Sequence, residues 1–247
     1  MSSKAGLTTG SAVFNRRQWI SAGAAVAGTV FSPVLRAAGD AGSEDEREVP
    51  AVEDLMREHG ILRRALLVYS EAAARLESRK SGIPLAALGR TATLFREFGE
   101  QYHERSLEEA HVFVPVIKAG GENAALAETL TAQHKRGREI TNYIADVAKR
   151  GNLTSAGATQ LAQVLGSFVR MYEHHAAIED TIVFPAWKAA ISAHEYHELT
   201  EKFEDLEHKM FGKDGFEDAL ARIAAIERDF DLADLQALTA PAPPKPA

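Results

Sequence analysis

Four histidines stand at positions where each would lie on the apolar face of a different helix. They are His59, His103, His134 and His175. Each belongs to a segment in which mostly apolar residues recur at intervals of three, four or seven, which place side chains on one face of an α-helix. Glu179 lies one turn beyond His175, and the same spacing predicts that Ile182 lies on this buried face. Glu108 is the nearest matching carboxylate on the helix of His103. The sequence therefore predicts four inward imidazoles accompanied by two carboxylates.

Buried imidazoles and carboxylates both need compensation, and a cation supplies it to several of them at once. A single inward histidine is usually a hydrogen-bonded core residue. Four of them, accompanied by glutamates, are hard to explain in that way, so we interpret the set as a metal site. Nitrogen and oxygen ligands without sulfur suit iron, manganese or zinc.

Four long amphipathic segments carry these side chains, over residues 52–77, 84–118, 122–150 and 155–191. Gly-containing pairs such as Gly120–Gly121 and Gly151–Asn152 separate them, as expected where helices end. Long helices with short connections predict an all-α fold, an antiparallel (up-down-up-down) four-helix bundle. Two more segments, at about 193–211 and 215–230, are expected as additional C-terminal helices packed on its outside or end.

The ends of the chain are expected to lie outside this bundle. Arg16 and Arg17 precede a Gly- and Ala-rich apolar run at 20–35, an order that resembles the twin-arginine export signal of bacteria. This resemblance implies a periplasmic protein exported in the folded state, or one anchored in the membrane if the signal is not cleaved; a disordered basic arm is the alternative. We therefore predict a signal and linker at 1–45, the bundle at 50–191, a C-terminal helical extension at 192–232 and a Pro-rich disordered tail at 233–247.

The composition excludes several classes of site and of binding partner. The 247 residues include 28 Lys and Arg against 35 Asp and Glu, for a net charge of −7, and no cysteine. Without cysteine there is no disulfide, thiolate metal site, iron–sulfur cluster or Cys nucleophile. The acidic balance argues against nucleic acid as a partner. No Gly-rich phosphate loop or strand–turn–helix nucleophile motif is present either.

Four pieces of the sequence, at 57–63, 102–109, 133–139 and 174–185, resemble the hemerythrin-like, or HHE cation-binding, family. The resemblance spans about residues 50–190. It implies a four-helix bundle around a non-haem di-iron centre, in a family that includes oxygen carriers and sensors of oxygen, iron or nitric oxide. It also implies the ligands, with the two glutamates bridging two iron ions: His59, His103, Glu108, His134, His175 and Glu179.

Two departures from that family shape the expectation. Arg138 stands where oxygen carriers have a second histidine on the third helix, so a five-histidine carrier site is not supported, and sensing or redox chemistry is favoured. His103 and Glu108 are five residues apart, which a regular helix would turn about 140° away from each other. We predict a single-residue π-bulge between His103 and Glu109. In a regular helix, Glu104 would replace Glu108.

Several neighbouring residues have a less specific interpretation. His174 is expected to flank the site or to support a ligand, and the remaining histidines are expected off the seam: His111, His194, His197 and His208. Tyr102 and Tyr172 could donate a hydrogen bond to a bound oxygen species or simply fill the core. Gly137 either opens space for a ligand or eases helix packing.

Three classes of function remain open. The favoured one is a di-iron protein that binds or senses dioxygen, nitric oxide, peroxide or iron, with no nucleic-acid partner and no stable membrane span after signal removal. The second is a di-iron oxidase or peroxidase of ferritin-like type, which needs two Glu-x-x-His pairs. Glu108 and His111 form one such pair, whereas Asp205 and His208 only imitate the other. The third is a metal-free helical interaction protein.

Overall fold

The structure is a computed structural model that describes residues 49–78 and 82–245. The predicted export signal lies outside these residues. Pro50–Ala247 forms one compact unit, and its described residues contain six helices and no strand. The helices are α1 (Ala51–Ser78), α2 (residues 85–119), α3 (Gly121–Arg150), α4 (residues 155–190), α5 (Ala193–Phe211) and α6 (Gly215–Asp229). The predicted four-helix bundle with additional C-terminal helices is confirmed.

The connections are short because the helix ends are well defined. Gly120 joins α2 to α3 with φ 78°, and Gly151 ends α3 with φ 70°, conformations that glycine adopts without strain. Thr154 caps the start of α4, and Ser192 forms a capping box at the start of α5. Within the bundle, α1 packs mainly against α4, and α2 packs mainly against α3.

The apolar core lies on both sides of the predicted site. On one side, the rings of Tyr69, Phe95, Phe168 and Tyr172 pack against one another at centroid distances between 4.8 and 6.2 Å. On the other side, Trp187 of α4 stacks on Phe203 of α5. Burial of each such side chain stabilises the fold by about 1.5–3 kcal/mol. The site is therefore held between two rigid apolar layers.

The C-terminal helices pack on the outside of the bundle, where ion pairs fix α6 against α1 and α2. Arg64 of α1 binds Glu227 through two hydrogen bonds, and Arg90 of α2 pairs with Asp229. The Arg57 guanidinium lies 4.5 Å from the centroid of the Phe216 ring. None of the described helices is long and apolar enough to cross a membrane.

Both α2 and α4 contain wide helical turns, in which backbone hydrogen bonds span five residues. In α2 these turns cover Phe95–Val112, and Phe113 N–H donates to the Glu108 carbonyl. In α4 they cover Glu179–Val183, and Phe184 N–H donates to the Glu179 carbonyl. The predicted wide turn between His103 and Glu109 is confirmed, but it extends over 18 residues and is not a single-residue bulge.

A proline follows each of these two stretches of wide turns. Pro115 and Pro185 have no N–H to donate, and their rings clash with the carbonyl four residues earlier, so the preceding turn must open. One consequence corrects the sequence analysis of α4, where helical spacing placed Ile182 on the buried seam. Ile182 is 37% exposed and Val183 is buried in its place, because the wide turn rotates the face by about one residue.

Candidate metal centre

All six predicted ligands converge in the middle of the bundle. Each is at least 97% buried, and each of the four helices supplies one imidazole. The His59 and His103 rings form a first pair with centroids 4.7 Å apart, and the His134 and His175 rings form a second pair with the same separation. Glu108 of α2 and Glu179 of α4 lie between the two pairs. These side chains form two overlapping groups whose ligand atoms lie within 4.8 Å of one another.

Each of the two glutamates faces both histidine pairs. Glu108 places Oε1 3.2 Å from His103 Nε2, and it places Oε2 3.4 Å from His134 Nε2. Glu179 places Oε2 3.4 Å from His59 Nε2, and it places Oε1 3.0 Å from His175 Nε2. We call Glu108 and Glu179 the shared carboxylates. Two cations, one beside each histidine pair, would each be offered two imidazole nitrogens and two carboxylate oxygens.

Five inner atoms of this cluster have no hydrogen bond to satisfy them, whereas Nε2 of His134 lies within hydrogen-bond distance of Nε2 of His175, at 3.0 Å. Both carboxylate oxygens of Glu108, both of Glu179 and Nε2 of His103 are buried without a hydrogen-bond partner. An uncompensated buried carboxylate is costly, and a cation is the group that compensates oxygen and imidazole nitrogen together. The donor set therefore fits a metal centre on geometric as well as chemical grounds.

The outer nitrogen of every imidazole meets an oxygen acceptor. Nδ1 lies 2.7 Å from the acceptor in His59 and His103, 3.0 Å in His134 and 2.9 Å in His175. The acceptors, in the same order, are Asp180, Glu58, Glu109 and Gln133. Because these oxygens can accept, Nδ1 would keep its proton when a cation is bound, and the Nε2 lone pair would be free for the cation. Histidines that bind metals are typically supported in this way.

Two arginines and two phenylalanines complete this shell. Arg63 donates to the second oxygen of Asp180, and Arg138 donates to the same Glu109 oxygen that faces His134, so an arginine fixes each of these two acids. Phe184 stacks on His59 and Phe113 stacks on His134, both with ring centroids 5.5 Å apart. The imidazole planes are thus fixed by hydrogen bonds at one edge and by an aromatic ring on one face.

The charges around the centre favour a cation. Six carboxyl groups surround it against the two guanidinium groups: Glu58, Glu104, Glu108, Glu109, Glu179 and Asp180. Burial lowers the pKa of His134, but its contacts with Glu104, Glu108 and Glu109 outweigh that effect and raise the pKa to about 10. Burial raises the pKa of Glu108, but His103 and His134 outweigh it and hold that pKa well below its usual range. The pKa values of His59 and His103 are raised as well, because nearby carboxylates outweigh the effect of burial, so without a metal protons on these three imidazoles supply positive charge.

A cavity of about 10 Å³, close to the volume that one water needs, adjoins the centre. Ligand residues form its floor, and Leu62, Leu66, Tyr172 and Ala176 form its walls. The Tyr172 hydroxyl donates to Glu104, whose other oxygen accepts from Arg138. Burial and the negative charge of Glu104 raise the pKa of Tyr172, so the phenol keeps its proton.

Gly137 provides room for Tyr172 and not for a bound ligand. A Cβ at this position would lie 2.6 Å from the Tyr172 hydroxyl and 2.9 Å from its Cε2. Glu104 does not replace Glu108, because the wide turns bring Glu108 to the centre and leave Glu104 against Tyr172. Tyr102 packs against Phe98 and Phe211 in the core.

The other histidines lie away from the centre, as expected. His174 is exposed, so it flanks the site without supporting a ligand. His194 and His197 are exposed near the start of α5, and His208 is exposed near its end. His111 is half-buried beside Phe203. Neither Glu-x-x-His pair of the ferritin-like alternative forms at the centre. In the first pair, His111 lies beside Phe203 and not with Glu108, and in the imitation of the second pair both Asp205 and His208 are exposed.

Four residues that hold the outer imidazole nitrogens were not predicted from the sequence. Each is next to a ligand in the chain: Glu58 before His59, Glu109 after Glu108, Gln133 before His134 and Asp180 after Glu179. That adjacency is a usable signal, but it does not show which imidazole each residue reaches.

The comparisons agree with this geometry. The chain belongs to the hemerythrin family, because the model described as "Hemerythrin HHE cation binding domain" matches residues 51–186 and, in a second match, residues 125–232. Its relatives include an uncharacterized protein of Mycobacterium bovis and two of Mycobacterium tuberculosis. Each is 37% identical over 237 residues, which cover 92% of this chain and 92% of the relative. No solved structure matches the chain significantly. The family and the His/Glu clusters together indicate cation binding.

Proposed function

We propose that the protein holds two iron ions in a non-haem centre and uses them to bind or sense a small oxygen species or nitric oxide. The observation that carries this proposal is the position of the shared carboxylates. Both oxygens of Glu108 and both of Glu179 are directed to different histidine pairs, which is the arrangement that two neighbouring cations require. The proposed ligands are His59, His103, Glu108, His134, His175 and Glu179.

The number of donor atoms supports sensing in preference to passive storage of the metal. Each cation would receive two nitrogens and two oxygens from the protein, which leaves positions for a small ligand on a six-coordinate ion. Iron at these positions would supply electron exchange and a binding position for a diatomic molecule. Arg138 pairs with Glu104 and Glu109 and is not available as a ligand, so the protein itself does not fill these positions.

The residues around the cavity define which ligands fit. Its volume, close to that needed by one water, and the apolar side chains of Leu62 and Leu66 favour a very small ligand and exclude larger substrates. Tyr172 provides a phenol proton at the wall of the cavity, and Glu104 accepts a hydrogen bond from it. A ligand seated between the centre and this wall would be shielded from bulk water.

Metal analysis of the full chain, purified with and without oxygen, tests the proposal. We expect two irons per chain and near-ultraviolet absorption that changes when dioxygen, nitric oxide or peroxide is added. His134→Ala should remove at least one iron, whereas His174→Ala, an exposed histidine beside a ligand, should retain both. One metal or none in the wild-type protein would contradict the dinuclear centre, and zinc in place of iron would contradict the redox role.

Peroxide turnover is the second candidate function, and the Tyr172–Glu104 contact is the observation that favours it. A phenol beside the cavity with a carboxyl group behind it is arranged to move a proton. If the protein is an enzyme, peroxide should be consumed over many cycles, and Tyr172→Phe should slow this consumption without changing the iron content. A single stoichiometric spectral change would identify a binding protein.

We also propose export by the twin-arginine route, which Arg16, Arg17 and the following apolar run support. A reporter fused after residue 48 should reach the periplasm of a bacterial host, and replacement of both arginines by lysine should block its export. Export of the lysine variant, or of neither fusion, would contradict the proposal.

A further inference from the structure

The two halves of the centre repeat one another closely. On α1, His59 is followed one turn later by Arg63, which pairs with the acid that holds His59 Nδ1. On α3, His134 is followed one turn later by Arg138, which pairs with the acid that holds His134 Nδ1. A phenylalanine stacks on each of these imidazoles at the same centroid distance. His59 and His134 therefore share the same arrangement of arginine, acid and phenylalanine, although Arg138 also pairs with Glu104.

The second imidazole of each pair breaks this equivalence. His103 Nδ1 lies 2.7 Å from Oε2 of Glu58, a fully buried carboxyl group. His175 Nδ1 lies 2.9 Å from Oε1 of Gln133, a half-buried amide. Glu58 and Gln133 occupy matching places, one residue before His59 and one residue before His134. The two halves thus differ by a carboxylate in one and a neutral amide in the other.

This difference changes how strongly each imidazole binds a cation. A carboxylate that accepts the Nδ1 proton pushes electron density toward Nε2 and makes it the better ligand, and loss of such a support typically lowers metal affinity 10–100-fold. An amide oxygen accepts the same proton with weaker polarisation. The His103 nitrogen should therefore bind a cation more tightly than the His175 nitrogen.

We propose that the two cation positions are inequivalent, and that Glu58 and Gln133 set the order in which they fill. The position beside His59 and His103 fills first, and the position beside His134 and His175 fills second and empties first. Glu58 and Gln133 act as positioning residues, since neither reaches the cations itself. The inference rests on the proposed dinuclear centre.

Titration of the metal-free full chain with Zn²⁺ in a calorimeter, and with Co²⁺ in a visible spectrometer, tests this order. We expect two binding steps whose affinities differ by about 10–100-fold. Glu58→Gln should weaken the first step until the two merge, and Gln133→Glu should strengthen the second until they merge at high affinity. Both substitutions conserve side-chain size, and unchanged helical circular dichroism is the control for folding.

The double variant sharpens the test, because exchange of the two residues should restore two separate steps with the opposite order of filling. A crystal of the wild-type protein with one equivalent of Co²⁺ gives the order directly, without any variant. Its anomalous signal should lie beside His59 and His103. A signal beside His134 and His175, or two equal steps in the wild-type titration, would overturn the inference. Fewer than two ions at saturation would overturn the dinuclear function itself.

Discussion

Helices α2 and α4 contribute the same kinds of residue to the centre, but their local geometry differs. Each supplies an imidazole, a shared carboxylate, an outer acid, a stacking phenylalanine and a proline. The imidazole and the carboxylate are five residues apart in α2, from His103 to Glu108, and four apart in α4, from His175 to Glu179. Wide turns cover 18 residues of α2 and five residues of α4. A helix can therefore deliver the same pair of ligands from two spacings when its turns can open.

The same comparison shows where the two helices differ in charge. The residue after the imidazole is Glu104 in α2 and Ala176 in α4, and the residue three places before it is Glu100 in α2 and Tyr172 in α4. Burial raises the pKa of both Glu100 and Glu104. The ligands are nearly symmetric across the bundle, but of these two helices α2 is the one that adds two further buried acids beside its imidazole.

The largest effect is expected from the shared carboxylates. Glu108→Gln and Glu179→Gln should each reduce the metal content from two ions to at most one, because each carboxylate faces both histidine pairs. Metal analysis by mass spectrometry measures the content. Glu100→Gln, a buried acid of α2 outside the centre, is the matched control and should retain two ions. Loss of metal from only one of the two variants would show that α2 and α4 are not equivalent here.

The stability of the metal-free protein should depend on pH in a defined way. The pKa of Glu108 and the pKa of Glu179 lie below 4.5 in the folded chain, so their stabilising contribution is present above pH 4.5 and is lost as the pH falls further. The pKa of His134 rises from 6.5 to about 10, so its contribution is complete below pH 6.5 and is lost as the pH rises toward 10. Stability without metal should therefore be highest between pH 4.5 and 6.5.

Metal binding should have the opposite dependence, because protons and cations compete for the same imidazoles. The gain in melting temperature with Zn²⁺ should increase from pH 6 to pH 9. Melting curves of the metal-free and the Zn²⁺-loaded chain across this range measure both effects. A metal-free protein that is most stable at pH 9 would show that the imidazoles do not carry the compensating protons.

Substitution of the outer acids Asp180 and Glu109 should reduce metal binding less than substitution of the shared carboxylates does, and by different amounts. Asp180→Asn and Glu109→Gln should each lower the affinity for Zn²⁺ by about 10–100-fold. The loss should be greater for Asp180, since it lies 2.7 Å from its imidazole against 3.0 Å for Glu109, and it is 9% exposed against 26%. Competition with a chelator of known affinity measures the loss. Equal losses would show that distance and exposure do not distinguish the two helices.

Much of this arrangement could be predicted from the sequence, because helical periodicity and short connections define a bundle with few alternatives. The inward positions of His59 and Glu179 follow from their places in the apolar pattern. The extent of the wide turns does not follow from the sequence, because the five-residue spacing from His103 to Glu108 requires only one wide turn. Ile182 was misplaced for the same reason.

The supporting shell was harder to predict from sequence. Successive residues of a helix point about 100° apart, so a residue next to a ligand reaches a different helix, which helical spacing alone does not identify. Glu58 supports His103 and not its neighbour His59, and Gln133 supports His175 and not its neighbour His134. Such crossed contacts depend on how the helices are placed, which only the folded structure provides.

The smallest expected effect is on the stability of the protein, when either of two glycines is replaced by alanine. The two positions differ in what the added Cβ would contact. Gly137→Ala should destabilise the protein, because overpacking costs about 1–3 kcal/mol and the gain in helix propensity returns only about 1 kcal/mol. Gly99→Ala should cost less, since its Cβ would meet the flexible end of Leu62 at 3.0 Å. Urea unfolding of both variants measures the difference.

Tyr172→Phe separates the two contributions to the Gly137 effect. Removal of the hydroxyl eliminates the 2.6 Å contact, but the ring carbon at 2.9 Å from the added Cβ remains. The phenylalanine should therefore rescue Gly137→Ala in part, and the two substitutions should not be additive. Full additivity would mean that Tyr172 moves away from α3 without cost. In that case, the glycine would not be what keeps this tyrosine beside the centre.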